Sequence, residues 1–442
     1  MSLLIKQATL VNEGRQQIAD VWVADGKIRK IAPSIDPPAG VQELVAEGLW
    51  LLPGVIDDQV HFRDPGLTHK ADIHSESRAA VAGGTTSFME MPNTQPAALT
   101  QELLEQKYAQ AARNSLANYS FFMGVSNDNV EEVLRTNDKR KEVCGIKIFM
   151  GSSTGNMLVD NYVTLRKIFS EAELLIATHC EDERIIAANK ALYENADHAA
   201  FHPLIRNAEA CFESSFSAVQ LAKQNDTRLH ILHITTEREL QLFSNMLPLA
   251  EKRITNEVCV HHLHFTADDY AELGNLIQCN PAIKEPHNKA ALWTALLDDR
   301  LDIIATDHAP HTWEEKQLPY GKAPSGLPLV QHSLLLMLDY VRQGQISIEK
   351  VVEKMSHAPA ICFEVAERGF LREGYWADLV LVNPNEPYTV QKDNLLYKCG
   401  WSPLEGKQFP ASVHSTFVNG KLVYDQGKII EGSTGSRLQF LR

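Results

Sequence analysis

At 442 residues the chain is long enough for a large enzyme domain with a smaller companion. Its 44% hydrophobic and 22% charged residues are the make-up of a folded protein and exclude a disordered one. A net charge of −14 offers no electrostatic footing for a nucleic-acid backbone or an anionic membrane surface.

The first fifty residues read as strands. LIKQATLVN, IADVWVADG and KIRKIAP alternate apolar and polar side chains, and Asp25-Gly26 is a hairpin turn. The middle has another rhythm, with short apolar or β-branched runs at 55–61, 85–92, 118–125, 145–151, 174–180, 229–235, 254–260 and 302–310. Helical patterns such as Gln101–Arg113, Asn161–Ser170, Glu209–Gln224 and Lys289–Leu297 lie between them. Strands alternating with helices pair in parallel through right-handed crossovers, and eight such units predict an α/β protein built on a (β/α)8 TIM barrel. No glycine-rich phosphate loop follows the first of these strands, which argues against an open doubly wound sheet. The last seventy residues return to strands, in WADLVLVNP, STFVNG and KLVYDQG. The two ends are expected to form one small β-sandwich domain, with residues 1–52 and 369–442 flanking a barrel over 53–368.

No run approaches the roughly 20 apolar residues of a membrane span, and Leu334–Leu338 reads as part of a buried helix. The start lacks a basic segment followed by an apolar core, so a secretory signal is not expected. Seven scattered cysteines with no C-x-x-C pair suit a reduced, cytoplasmic setting and exclude a zinc ribbon.

Chemistry gathers at the ends of the middle strands, where barrels of this kind carry their active sites. His61 ends the first, His179 the fifth, His233 the sixth and Asp307 the eighth. Three imidazoles and a carboxylate meeting at one barrel mouth suit Zn²⁺ or a related cation. Lys147 falls inside the apolar strand Gly145–Phe149, where an ammonium must find a partner or lose its charge. Gln59 shares a strand face with His61, whereas alternation sends Asp58 to the barrel exterior. His230 and His264 are read as structural.

These motifs together resemble the dihydroorotases of the amidohydrolase superfamily. PGVIDDQVHFRDPG (53–66) resembles their first-strand signature, and EMPNT (90–94), KIFMGSS (147–153), THCED (178–182), HPLIR (202–206), LHITT (232–236) and ATDHAPH (305–311) follow in order. The resemblance covers essentially the whole chain. It implies one or two divalent zinc ions per chain, one held by His179 and His233 and the other by His61 and Asp307, bridged by an N-carboxylated Lys147. It implies reversible, metal-dependent hydrolysis of dihydroorotate to N-carbamoyl-L-aspartate in pyrimidine biosynthesis, with Asp307 as base and then acid. It places Arg63, Asn93 and His311 on the substrate carboxylate, Asn280 on the pyrimidine edge, and the backbone at Ser325 and Gly326 against the ring. Relatives often form homodimers, and the implied partner is a small molecule, with no nucleic acid or membrane.

The chain departs from the family in two places. The usual D-x-H-x-H of the first strand has Gln59 in place of its first histidine, and an amide is a weaker zinc ligand than an imidazole. That half of the site is expected to hold metal loosely, and the Lys147/His179/His233 half to hold it well. Lys284, in CNPAIK, stands where an arginine is more usual. Two other readings follow. Hydantoinase- and allantoinase-like enzymes generally lack an arginine at position 63, so Arg63 favours dihydroorotate. A noncatalytic partner of aspartate transcarbamoylase would have lost several ligands together, and here one of six departs.

Overall fold

The computed structural model describes residues 2–151, 157–432 and 435–442. The N-terminal strands are β1 (Ser2–Asn12), β2 (Arg15–Ala24), β3 (Lys27–Ala32), β4 (Gln42–Val45) and β5 (Trp50–Pro53). Asp25 and Gly26 both have positive φ, 53° and 77°, as a two-residue turn matching the right-handed strand twist requires. In β1, the three steps from Ile5 to Ala8 face two in β2, so one residue bulges, and Gln7 sits at φ 58°. The bulge switches the parity of the strand. Leu3 and Ile5 before it and Ala8 and Leu10 after it therefore all enter the same apolar core.

Eight barrel strands follow, at the eight places the sequence marks. They are β6 (Val55–Val60), β7 (Thr85–Glu90), the near-continuous β8 (Asn118–Phe121) and β9 (Met123–Gly124), then β10 (Ile146–Phe149), β11 (Ile176–His179), β12 (Leu229–Ile231), β13 (Ile254–Cys259) and β14 (Ile303–Ala305). All neighbours pair in parallel, in two arcs that meet at Phe122. The ring closes where Val60 bridges His308, just past β14, and the His61 amide donates to the His308 carbonyl at 2.7 Å. Helices Gln101–Asn114, Tyr162–Glu171, Ala208–Asn225 and Pro286–Leu297 match the four expected patterns within a few residues. The Leu334–Leu338 run is buried within the helix Ser333–Arg342.

The C-terminal strands β15 (Leu379–Asn383), β16 (Tyr388–Thr389), β17 (Gln408–Phe409), β18 (Ser412–Val418), β19 (Lys421–Asp425) and β20 (Lys428–Ile429) complete the structure. β15 pairs antiparallel with β5, Leu379 opposite Pro53, so strands from both ends share one nine-stranded sheet. Asn419-Gly420 and Gln426-Gly427 repeat the positive-φ turn. Residues 435–442 leave this sheet for the barrel. The Leu438 amide donates to Tyr119 and Phe440 to Lys141, while their side chains pack beside Phe122 and Phe363. Among the described residues no helix is long and apolar enough to cross a membrane, and all seven cysteines are free.

One expectation fails in β6. Between Asp57 and Val60, three steps in β6 face two in β7, so a bulge interrupts the alternation. Asp58 and Gln59 therefore both point inward. Asp58 reaches His230 on β12, across the barrel, and is fully buried. The bulge is held by Asp57, which accepts from the Gln59 amide at 3.3 Å and the Thr306 hydroxyl at 2.6 Å.

Candidate active site

A cavity of about 380 Å³ opens at the C-terminal ends of the barrel strands. Its wall brings together all twelve residues singled out in the sequence: Gln59, His61, Arg63, Asn93, Lys147, His179, His233, Asn280, Asp307, His311, Ser325 and Gly326. Ser152 and Ser153, from the KIFMGSS motif, lie outside the described residues.

Two halves can be distinguished. On one, His179 Nδ1 is 3.0 Å from His233 Nε2. His179 Nε2 is 3.1 Å from Glu181, whose carboxylate is also paired with the buried Arg206. Burial raises the Glu181 carboxyl, but Arg206 and His179 outweigh it and hold it down to about 2. An ionised Glu181 fixes the ring of His179 and leaves Nδ1 facing the cavity wall. On the other half, His61 Nε2 is 3.1 Å from Asp307 Oδ1, and His61 Nδ1 is 2.8 Å from Asn93 Oδ1. Gln59 donates its Nε2–H to the same Asp307 oxygen at 3.2 Å.

Between the halves lies Lys147, 1% exposed, its Nζ 4.5 Å above the Phe149 ring. Among the described residues it has no salt-bridge partner, and burial lowers its ammonium to about 7. Burial likewise holds the His61 imidazole below its ordinary value and that of His233 well below it. The buried Nδ1 of His233 has no hydrogen-bond partner among the described residues. Imidazoles, a lysine whose ammonium burial weakens and a carboxylate around one space are a donor set that a divalent cation fits.

Backbone strain marks the same residues. Arg63, His233 and Asp307 have φ of 66°, 40° and 47°, a left-handed region that costs a non-glycine residue about 1–2 kcal/mol. Neighbouring bonds impose it: the His233 amide donates to Glu257 Oε1 at 3.1 Å, and Arg63 Nε donates to the Pro310 carbonyl at 3.1 Å.

The polar wall is built in the same way. Arg63 Nη2 is 3.0 Å from His311 Nε2, and Lys70 Nζ is 3.0 Å from His311 Nδ1 and 2.9 Å from Glu315. Burial and the flanking Arg63 lower His311 to about 3, so it is a neutral ring among cations. Asn280 Oδ1 lies 3.0 Å from His202 Nε2, whose other nitrogen meets Tyr320. Gly326, at φ 138°, donates its amide to Gln278; a Cβ there would stand 2.4 Å from the Ala309 carbonyl. Lys316, fully buried, ties down the carbonyls of Gln278, Pro324 and Gly326.

Sequence reasoning missed Lys70, Glu181, Arg206, His202 and Lys316. Three of these fall in quoted motifs (THCED and HPLIR), yet nothing in strand or helix periodicity assigns them a role. His264 Nδ1 lies 2.9 Å from the Tyr340 hydroxyl, and His264 does not line the cavity. Lys284 donates to the Ala282 carbonyl at 2.7 Å and does not line the cavity.

The Amidohydrolase family model matches residues 50–423. A dihydroorotase of Halobacterium salinarum is 32% identical over 422 residues, covering 92% of this chain and 96% of that protein. One from Pyrococcus furiosus is also 32% identical, covering 95% and 92%. Among solved structures, the L-hydantoinase (dihydropyrimidinase) of Arthrobacter aurescens superposes with a TM-score of 0.91 at 26% identity, over 97% of each chain. The dihydropyrimidinase of Brevibacillus agri, at 24% identity and a TM-score of 0.88, shares the fold.

Proposed function

Since the chain belongs to the amidohydrolase family and its curated relatives are dihydroorotases, we propose that this site opens the ring of dihydroorotate by hydrolysis and closes it in reverse. The product is N-carbamoyl-L-aspartate, in pyrimidine biosynthesis. The observation that carries this reading is Arg63. It is a buried guanidinium beside a neutral His311, in the wall of the cavity that the ligand-like cluster also lines. A substrate with a ring carboxylate is what such a cation suits.

His179 and His233 would hold one divalent ion and His61 and Asp307 another, with zinc the best match to this donor set. A bound metal supplies a low pKa for water and polarisation of a carbonyl. Lys147 is the residue suited to N-carboxylation, because burial favours the neutral amine that adds to carbon dioxide, and the product is an anion able to share the metals.

The remaining steps belong to the chain's own side chains. Arg63, Asn93 and His311 grip the substrate carboxylate, Asn280 addresses the pyrimidine edge, and the Ser325–Gly326 backbone lies against the ring. Asp307 takes a proton from the attacking water. The new C–O bond forms at the ring amide carbonyl, the C–N bond breaks, and Asp307 returns its proton to the departing nitrogen.

Purified protein reloaded with zinc is expected to hydrolyse dihydroorotate and to lose that activity on dialysis against a chelator. Arg63→Ala is expected to lower kcat/KM on dihydroorotate about 100-fold, and much less on hydantoin, which lacks the carboxylate. Faster turnover of hydantoin by the unaltered protein would reassign the substrate. An absence of turnover at full metal content would make the chain a noncatalytic partner, of the kind that attends aspartate transcarbamoylase.

A further inference from the structure

Beneath the mouth, on the floor of the barrel, Asp58, His230 and Glu257 meet with no exposed surface. His230 Nε2 is 3.3 Å from Asp58 Oδ2 and 3.2 Å from Glu257 Oε2. Its other nitrogen, Nδ1, is 2.8 Å from the Thr255 hydroxyl oxygen, and that hydroxyl is itself directed at the Leu229 carbonyl at 3.4 Å. Thr255 therefore accepts, and His230 carries its ring proton on Nδ1. In the neutral ring, Nε2 then presents a lone pair to two carboxylates, and three acceptors face one another. Either a proton or a metal cation among them resolves that arrangement.

A proton on Nε2 is one candidate, but it leaves two carboxylates against a single positive charge in a dry interior, where an uncompensated ion is costly. It also leaves Asp58 poorly served: among the described residues its Oδ1 has no hydrogen-bond donor, and its Oδ2 faces only His230 Nε2 at 3.3 Å. A dication makes the trio neutral and uses the idle oxygens. The spacing suits it as well. Ligand bonds of about 2.0–2.2 Å put neighbouring donor atoms roughly 2.8–3.6 Å apart, the range in which both measured separations fall.

We propose that Asp58, His230 and Glu257 form a buried structural site for a divalent cation such as Zn²⁺, distinct from the ligand set at the mouth. The two sites share no ligand. They touch through Glu257, whose second oxygen accepts the His233 amide. The floor site depends on the bulge in β6 that turns Asp58 inward.

The site is enclosed, so metal should enter as the chain folds. The full-length protein is therefore produced in zinc-supplemented medium, its zinc counted, and its crystals measured on both sides of the zinc absorption edge. An anomalous peak among Asp58, His230 and Glu257 is expected. Asp58→Asn, which keeps shape and removes charge, should abolish that peak and lower the count by one zinc per chain. Lys147→Ala, at the mouth, should leave the floor peak in place. No floor peak in the unaltered protein, or an unchanged count in Asp58→Asn, would overturn the proposal and leave a shared proton there. If Asp58→Asn fails to fold, the peak in the unaltered protein decides. Turnover of dihydroorotate is a separate readout, so the mouth reading can fail while this one stands.

Discussion

Lys147 and Gln59 illustrate how the surroundings of a single side chain set its chemistry at the mouth. Lys147 has lost most of its preference for a proton to burial alone, with no carboxylate paired to it among the described residues. Gln59 occupies a family histidine's place but spends its amide N–H on Asp307 at 3.2 Å, which leaves only its oxygen as a potential ligand. Gln59→His is therefore expected to raise metal retained at the mouth after desalting, measured by metal analysis, with Lys147→Ala lowering it. Glu181 acts through His179. Glu181→Gln removes the charge that orients the ring and leaves Arg206 unpaired, so metal affinity is expected to fall about 10–100-fold. Titration with a competing chelator reads that affinity, and an unchanged value would mean His179 is held by its strand alone.

Elements place these side chains by irregularities as much as by regular pairing. The bulge in β6 admits Asp58 and Gln59 to the interior together, and the turn after it carries Arg63 at positive φ. That turn closes at Gly66, φ 85°, where a Cβ would lie 1.9 Å from the Gln95 carbonyl. Gly66→Ala is expected to cost about 2–3 kcal/mol in unfolding experiments, from strain and steric displacement combined. It should also weaken dihydroorotate more than hydantoin turnover, because the displaced turn holds Arg63. Equal loss on both substrates would show that Arg63 is positioned by Pro310 and His311 instead.

At the scale of the whole molecule, the barrel and the C-terminal segment meet at His332. Its ring stacks near Phe409, its Nδ1 is 3.2 Å from the Tyr397 hydroxyl, and its buried Nε2 has no hydrogen-bond partner among the described residues. Burial lowers it from 6.5 to about 3. As pH falls below about 6.5 the unfolded chain binds a proton that the folded chain refuses, so this residue removes stability progressively down to about pH 3 and none above pH 7. At pH 5 the deficit is about 2 kcal/mol. His332→Phe should raise the melting temperature at pH 5 relative to the unaltered protein and change it little at pH 8. A gain of equal size at both pH values would point to packing instead of protonation.

What the sequence determined by itself is what local chemistry encodes. Short apolar or β-branched runs separated by helical periods marked all eight barrel strands. Asp-Gly and Asn-Gly marked hairpins because few other residues accept positive φ at both turn positions. His61, His179, His233 and Asp307 were legible because each closes an apolar strand, and strand ends converge in a barrel. The family resemblance added the polar wall. Tertiary structure alone decided which way Asp58 points, since one extra residue against β7 reverses a strand's faces and nothing within 55–61 announces it. It alone joined Glu181 to Arg206, Asn280 to His202, and Lys316 to the carbonyls of Gln278, Pro324 and Gly326. Those bonds join different loops and elements, and a charge or an amide finds its partner only after the barrel has closed.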